Sequence, residues 1–294
     1  MPGWRWIGLL LVGLSGASGP PCVADMRWWT TRGPHASDQD RAHRDFVQVC
    51  AQSWRRRVLP VWDRGYAGRA WLDLALAFPV RFVVRWPNRY HLLSVRSGVH
   101  PVPAWRVAQG LRAWDSRLLW DARRHVQRRT GVLAIPVWRR DDSLRAQPLW
   151  LVVARRGQGQ EPWYLLTTAP VTTTEDAWRI VYAYARRWQI ELCWRYGKSE
   201  LALESPRVWS GEGRQKFLLL ATLAYAFLLS LLSLLSLLHD DLAPIRQWLL
   251  RYWRHRTGTR SREASAPLYR LRSALSRLWL AHLALPLPLL QNSG

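Results

Sequence analysis

The chain has 294 residues, enough to bury one large core or two smaller ones, and its 43 Lys plus Arg against 20 Asp plus Glu give a formal charge of +23. That surplus implies a polyanionic partner, either nucleic acid or an anionic membrane surface. Because the arginines recur as dispersed pairs and triplets (55–57, 123–124, 128–129, 139–140, 155–156, 186–187), they exclude a disordered basic tail and predict a basic folded surface. Cys22, Cys50 and Cys193 are isolated and odd in number, which excludes a disulfide framework or a zinc site and fits a reduced, cytoplasmic protein.

The N-terminal "MPGWRWIGLLLVGLSGASGPPC" reads either as a secretory leader or as a buried strand followed by a Gly/Ser turn. The Pro-Pro after Gly19 counts against cleavage there. Residues 4–13 and 22–29 are predicted strands, and 37–57 is a predicted helix with Ser37 as N-cap. A short strand at 58–62 ends at Asp63, a helix follows through "DRGYAGRAWLDLALAF", and a strand at 80–86 closes at Pro87-Asn88. The order β, β, α, β, α, β predicts a mixed sheet with helices on its faces.

Residues 88–170 change character. Strand-like runs at 131–140, 147–156 and 162–168 alternate with turn signals, and 105–129 reads as partly helical. A helix is predicted from a Thr172/Glu175 capping box to about Lys198. Residues 217–238, "FLLLATLAYAFLLSLLSLLSLL", are uncharged and long enough to span a bilayer, though their Thr, Tyr and Ser also suit a helix buried in a folded protein. An Arg-rich, Trp-interleaved segment closes the chain at 246–279.

One feature of the 172–198 helix concerns chemistry. Lys198 and Lys216 are the only lysines in the chain, so Lys198 stands out in an Arg-dominated sequence. Tyr184, Arg187, Glu191 and Lys198 sit at offsets 0, 3, 7 and 14. At about 100° per residue they share a sector of about 60°, beside a buried stripe of Ala177, Val181, Trp188 and Leu192. By itself the Arg187–Glu191 pair is an ordinary i,i+4 contact worth about 0.2–0.5 kcal/mol.

Tyr-x2-Arg-x3-Glu-x6-Lys resembles the signature of the bacterial insertion-sequence transposases with the Tyr-Arg-Glu-Lys motif, a subgroup of the DDE enzymes. Its flanks "RRWQIE", "KSELALE" and "LLTTAPVTTTEDA" are similar too, and "VLPVWDRGYAG" resembles the family's second catalytic Asp. The resemblance implies an α/β fold: a ribonuclease-H-like mixed sheet with a β-rich insertion and a helical C-terminal part. Its divisions would be a first part of the core at 1–87, the insertion at 88–170, the rest of the core with the glutamate and apolar helices at 171–240, and a basic helical segment at 241–294. It also implies metal-dependent phosphodiester hydrolysis and strand transfer at insertion-sequence ends, with two Mg²⁺ ions held by carboxylates. Asp63 and Glu191 would be catalytic metal ligands. Tyr184, Arg187 and Lys198 would bind DNA phosphates, and two copies would pair in a synaptic complex. On this reading the N-terminal run becomes a sheet strand and 217–238 a buried helix; the alternative is a basic membrane protein anchored by 217–238.

The family's first Asp lies on a first strand that should precede Met1, so the sequence is expected to be an N-terminally truncated, inactive copy whose flanking strands show open edges. Asp25 is the one tempting substitute for that acid. Asp38 and Asp40 read as helix N-terminal charges.

Overall fold

The computed structural model describes residues 5–12, 22–31, 36–121, 124, 126–142, 148–191, 194, 210–237 and 275–276. The chain divides into two compact units, Met1–Leu9 with Asp25–Glu191, and Leu10–Ala24 with Leu192–Gly294.

The N-terminal apolar run is a strand, β1 (Arg5–Leu11), paired with β2 (Cys22–Trp29) in a two-stranded sheet. Helix α1 (Gln39–Val49) follows. Its cap is Asp38, which accepts from the Asp40 amide, rather than the expected Ser37; the Ser37 hydroxyl instead accepts from the Thr30 amide at 3.3 Å. Asp38 and Asp40 thus serve the helix terminus, as expected. Then come β3 (Val61–Trp62), α2 (Arg69–Leu76) and β4 (Val83–Arg85), in the predicted order.

Residues 88–170 form β5 (His91–Ser94), β6 (Val102–Pro103), α3 (Ala104–Val107), β7 (Asp115–Asp121), β8 (Val126–Arg139), β9 (Leu149–Arg155) and β10 (Trp163–Thr167). The expected helix within 105–129 shrinks to α3, because β7 pairs along its whole length with the long β8. These strands do not stand apart from the core. β10 pairs directly with β4, Leu165 opposite Arg85, giving one eight-stranded sheet in the order β3-β4-β10-β9-β8-β5-β6, with β7 also on β8. β3 and β4 run parallel, Trp62 beside Val84, and among the described residues β3 is the end strand.

Period-2 alternation sends successive side chains to opposite faces. Phe82, Val84, Leu151 and Leu166 point to a core shared with Phe46 and Val47 of α1, Trp71 and Leu72 of α2, and Ile7 and Trp29 of the hairpin. Val83, Val152 and Leu165 point to a second core closed by α4 (Thr174–Arg186), where Ala177, Trp178 and Val181 are 0 % exposed. The α4 capping box joins Thr173 to Asp176, one residue later than expected, because Glu175 is drawn away to Arg117.

In the second unit, α5 (Gly211–Leu237) covers most of the predicted apolar helix. Its side chains are described as far as Phe227 and Leu228. Ala221, Tyr225 and Leu228 are buried while Leu219, Leu220, Leu223 and Phe227 are exposed, so burial over this stretch is one-sided rather than complete. Lys216 pairs with Glu212 at 2.6 Å, an i,i+4 contact. Among the described residues no helix is long and apolar enough to cross a membrane. The expected basic segment 241–294 lies outside the described residues, apart from 275–276.

Candidate active site and its basic face

β3 is short, and Pro60 before it joins the ladder through its carbonyl, which accepts from the Val83 amide at 2.8 Å. The chain then turns at Asp63, which caps a 3₁₀ turn over Arg64–Tyr66 by accepting from the Arg64 amide at 2.8 Å. The carboxylate is therefore fixed at the end of a strand and half-exposed.

The other side of the site comes from the end of α4. The helix stops at Arg186, and i→i−3 bonds from the Arg187 amide to the Tyr184 carbonyl and from the Ile190 amide to the Arg187 carbonyl, both 3.0 Å, tighten the chain into a turn. Residues 188–191 are then helical again. The single unbroken helix expected over 172–198 is thus interrupted at Arg187. The tightening keeps Arg187 and Glu191 adjacent, with Nη2 3.0 Å from the Glu191 carboxylate. Nη1 of the same guanidinium lies 3.6 Å from Asp63 Oδ2. Two acids far apart in sequence therefore meet on one cation. Burial lowers the Arg187 pKa, but Asp63, Tyr184 and Glu191 outweigh that and hold it above its ordinary value.

Tyr184 is 6 % exposed. Its ring meets Trp163 edge-on at 5.0 Å and carries the guanidiniums of Arg187 and Arg85 at 5.8 and 5.9 Å from its centroid. Arg85 is the last residue of β4, on the same face as Val83. Its Nη2 lies 3.4 Å from both Glu161 and the Pro162 carbonyl, and Glu161 is shared with Arg64 at 3.0 Å. Arg156, just past β9, stacks on Trp163 at 4.4 Å. Asp121, at the end of β7, lies 3.8 Å from Arg156 and 3.3 Å from Arg128. Burial first, then the charge of Arg85, lowers the Arg156 pKa; Asp121 and Tyr184 oppose this and Arg128 adds to it. The Nε atoms of Arg85 and Arg156 are buried without a hydrogen-bond acceptor.

The structure thus brings Asp63, Tyr184, Arg187 and Glu191 together; Lys198 lies outside the described residues. Asp25 does not join them. It accepts from the Met26 amide and pairs with Arg27, both at 2.8 Å, and its charge acts on Cys50, whose buried thiol is pushed up to about 11 chiefly by desolvation. Among the described residues no group of three or more His, Cys, Asp or Glu could hold a metal ion. The oxygen chemistry of Asp63 and Glu191 suits a hard divalent cation, and their convergence on one guanidinium shows that they can face a single positive charge.

Sequence reasoning missed Arg85, Arg128, Arg156 and Trp163. A signal for Arg85 was present: alternation along "VVR" puts it on the face of Val83, inside the sheet, where a lone Arg is unusual.

A mixed α/β sheet with two acids gathered at a strand end and buried guanidiniums beside them has the composition of a phosphate-handling site. Residues 35–227 match the transposase DDE domain; the chain belongs to that family. Asp63, Tyr184, Arg187, Glu191 and Lys198 all fall within the matched span. No curated protein matches the chain.

Proposed function

We propose that this chain is a DNA transposase of the Tyr-Arg-Glu-Lys group, built on a ribonuclease-H-like core, in which Asp63 and Glu191 hold Mg²⁺ for phosphodiester chemistry at insertion-sequence ends. The observation that carries this reading is the meeting of Asp63 and Glu191 on Arg187. The β3–β4 parallel pair with α2 between its strands supports the core assignment.

Bound there, the metal would supply activation of a water or a 3′-hydroxyl and neutralisation of the leaving oxygen. The protein's own groups do the rest. Asp63 and Glu191 contribute two of the oxygen donors. Arg187, which pairs with both acids, would be released to take a phosphate oxygen if a cation held them. The Tyr184 ring orients Arg187 from beneath. Lys198, assigned by the Tyr-Arg-Glu-Lys signature, would bring a compact ammonium charge to a DNA phosphate, a role a planar guanidinium does not reproduce. Pairing of two copies at the element's two ends, and the division at 87, 170 and 240, belong to the same proposal. On this reading 88–170 is an insertion whose strands join the core sheet.

A DDE site takes three carboxylates, and among the described residues Asp63 and Glu191 are the acids gathered on Arg187, so the chain is expected to bind DNA without cutting it. The test is to incubate the purified chain with Mg²⁺ and a duplex carrying an insertion-sequence end, scoring binding by gel shift and cleavage on a denaturing gel. Binding without cleavage is expected. Specific cleavage would overturn the expectation of an inactive site, and absence of any DNA binding would overturn the functional reading itself.

A further inference from the structure

Arg85, Arg156 and Arg128 occupy one end of the sheet, on the α4 face: Arg85 on β4, Arg156 just past β9 and Arg128 on β8. Alternation from the buried Val83, Val152 with Ala154, and Val132 fixes that face for each of them. Trp163 of β10 lies between the first two. The row begins beside Asp63, because parallel pairing of Trp62 with Val84 places Asp63 level with Arg85. It also opens outward: 9 % of the Arg85 side chain is exposed, 17 % of Arg156 and 27 % of Arg128.

A purely structural network of buried arginines would satisfy its donors. This one does not, since the Nε atoms of Arg85 and Arg156 have no acceptor. Among the described residues the acids paired with the three guanidiniums are Asp121 and Glu161, and Glu161 is divided with Arg64. The surplus positive charge repels itself, which is one reason the Arg156 pKa is lowered after burial. Such a cluster is completed by an anion with several oxygens.

We propose that this row is a track for the sugar–phosphate backbone of one DNA strand leading to Asp63 and Glu191, with Arg128 and Arg156 contacting phosphates and Arg85 supporting them from beneath. The inference rests on the DNA reading above. Three inter-strand steps separate β4 from β8, and the register sets Arg128 six residues along β8 from Ala134, the residue level with Arg85, so the row crosses the sheet obliquely rather than straight across the strands. Arg156 stacked on Trp163 offers a flat cationic surface that binds phosphate bidentately without reading sequence. Asp121 tempers the outer end of the track.

The test is the salt dependence of binding of the full chain to a random-sequence duplex, followed by fluorescence anisotropy, with thermal melts to confirm folding. In the Arg128→Ala/Arg156→Ala double variant, the slope of log affinity against log salt should fall by about 1.8, at about 0.9 per lost phosphate contact, and binding should weaken at least about tenfold at moderate salt. Asp121→Asn should bind about three- to tenfold tighter than wild type, a gain that misfolding cannot produce. A folded double variant with the wild-type slope overturns the track and leaves the DNA reading standing. If the double variant does not fold, Asp121→Asn decides: tighter binding supports the track, and unchanged or weaker binding overturns it. A wild-type chain that fails to bind DNA overturns both.

Discussion

The two ends of α4 are built from the same kinds of residue and are wired in opposite ways. At the N-terminal end Arg117 pairs with Asp115 and Glu175 and lies over Trp178, while Trp178 donates its indole N–H to Asp115 at 2.9 Å. Thr173 and Asp176 cap each other. These charges have close partners of opposite sign, as in a network that fixes a helix in place. At the C-terminal end Arg187 is divided between two acids, Arg85 and Arg156 have donors with no acceptor, and aromatic faces take the place of carboxylates. A satisfied network serves stability. An under-satisfied one holds groups ready for something that is not yet there.

The comparison predicts that substitutions at the first end cost stability and those at the second cost binding. The largest effect belongs to Trp178→Ala. It removes a 0 % exposed side chain from the α4 core and leaves Asp115 without the indole donor, so denaturant melts should show a loss of about 3–5 kcal/mol. A loss under about 1 kcal/mol would mean that α4 is not anchored through this residue. Thr173→Ala comes next, at about 1 kcal/mol, because it deletes the N-cap; a melt unchanged from wild type would argue against the Thr173/Asp176 box.

Acid should act on the first end by the same logic, with a smaller effect per group. The Ser116 amide first, then Arg117 and Trp178, hold the Asp115 carboxyl below its ordinary value. Arg117 does the same for Glu175, and the Thr173 hydroxyl first for Asp176. Carboxyls depressed in the folded state bind protons more readily when unfolded. Their contribution is therefore complete above the ordinary carboxylate range, about pH 4, and disappears as pH falls through the lower folded values. The melting temperature should drop steeply below about pH 4, and Glu175→Gln should flatten that drop. A curve equally steep in the variant would remove Glu175 from the network.

Much of this was legible in the sequence because it is local. The strand and helix order through β4, the turn at Asp63, and the adjacency of Arg187 and Glu191 all follow from periodicity and turn chemistry over a few residues. What was not legible depends on distant partners or on near-equal local choices. Thr172/Glu175 and Thr173/Asp176 offer two capping registers one residue apart, and Arg117, about 58 residues upstream, decides between them by claiming Glu175. Nothing in "YARRWQIE" breaks a helix by propensity, yet the chain tightens at Arg187. The joining of 88–170 to the core rests on β10 finding β4, a pairing that alternation along either strand cannot specify. Arg85 was hidden for the same reason: its inward face has meaning only once Tyr184 and Trp163 are known to lie against it.

The smallest stability effect, and the sharpest discrimination, is expected from Glu191→Gln and Asp63→Asn. Both carboxylates are more than a third exposed, and exposed ion pairs contribute little because solvent screens them and the side chains lose entropy in pairing. Each variant should therefore melt within about 0.5 kcal/mol of wild type. In the same protein, titration with Mn²⁺ as a paramagnetic substitute for Mg²⁺ should show metal bound by the wild-type chain and lost from either variant, since each change removes one of the two anionic donors. Stability kept and metal lost would place the C-terminal end of α4 in the opposite class from its N-terminal end. A loss of stability as large as that of Thr173→Ala, with metal binding intact, would instead make Asp63 and Glu191 structural partners of Arg187, and the two ends of the helix would then differ in geometry alone.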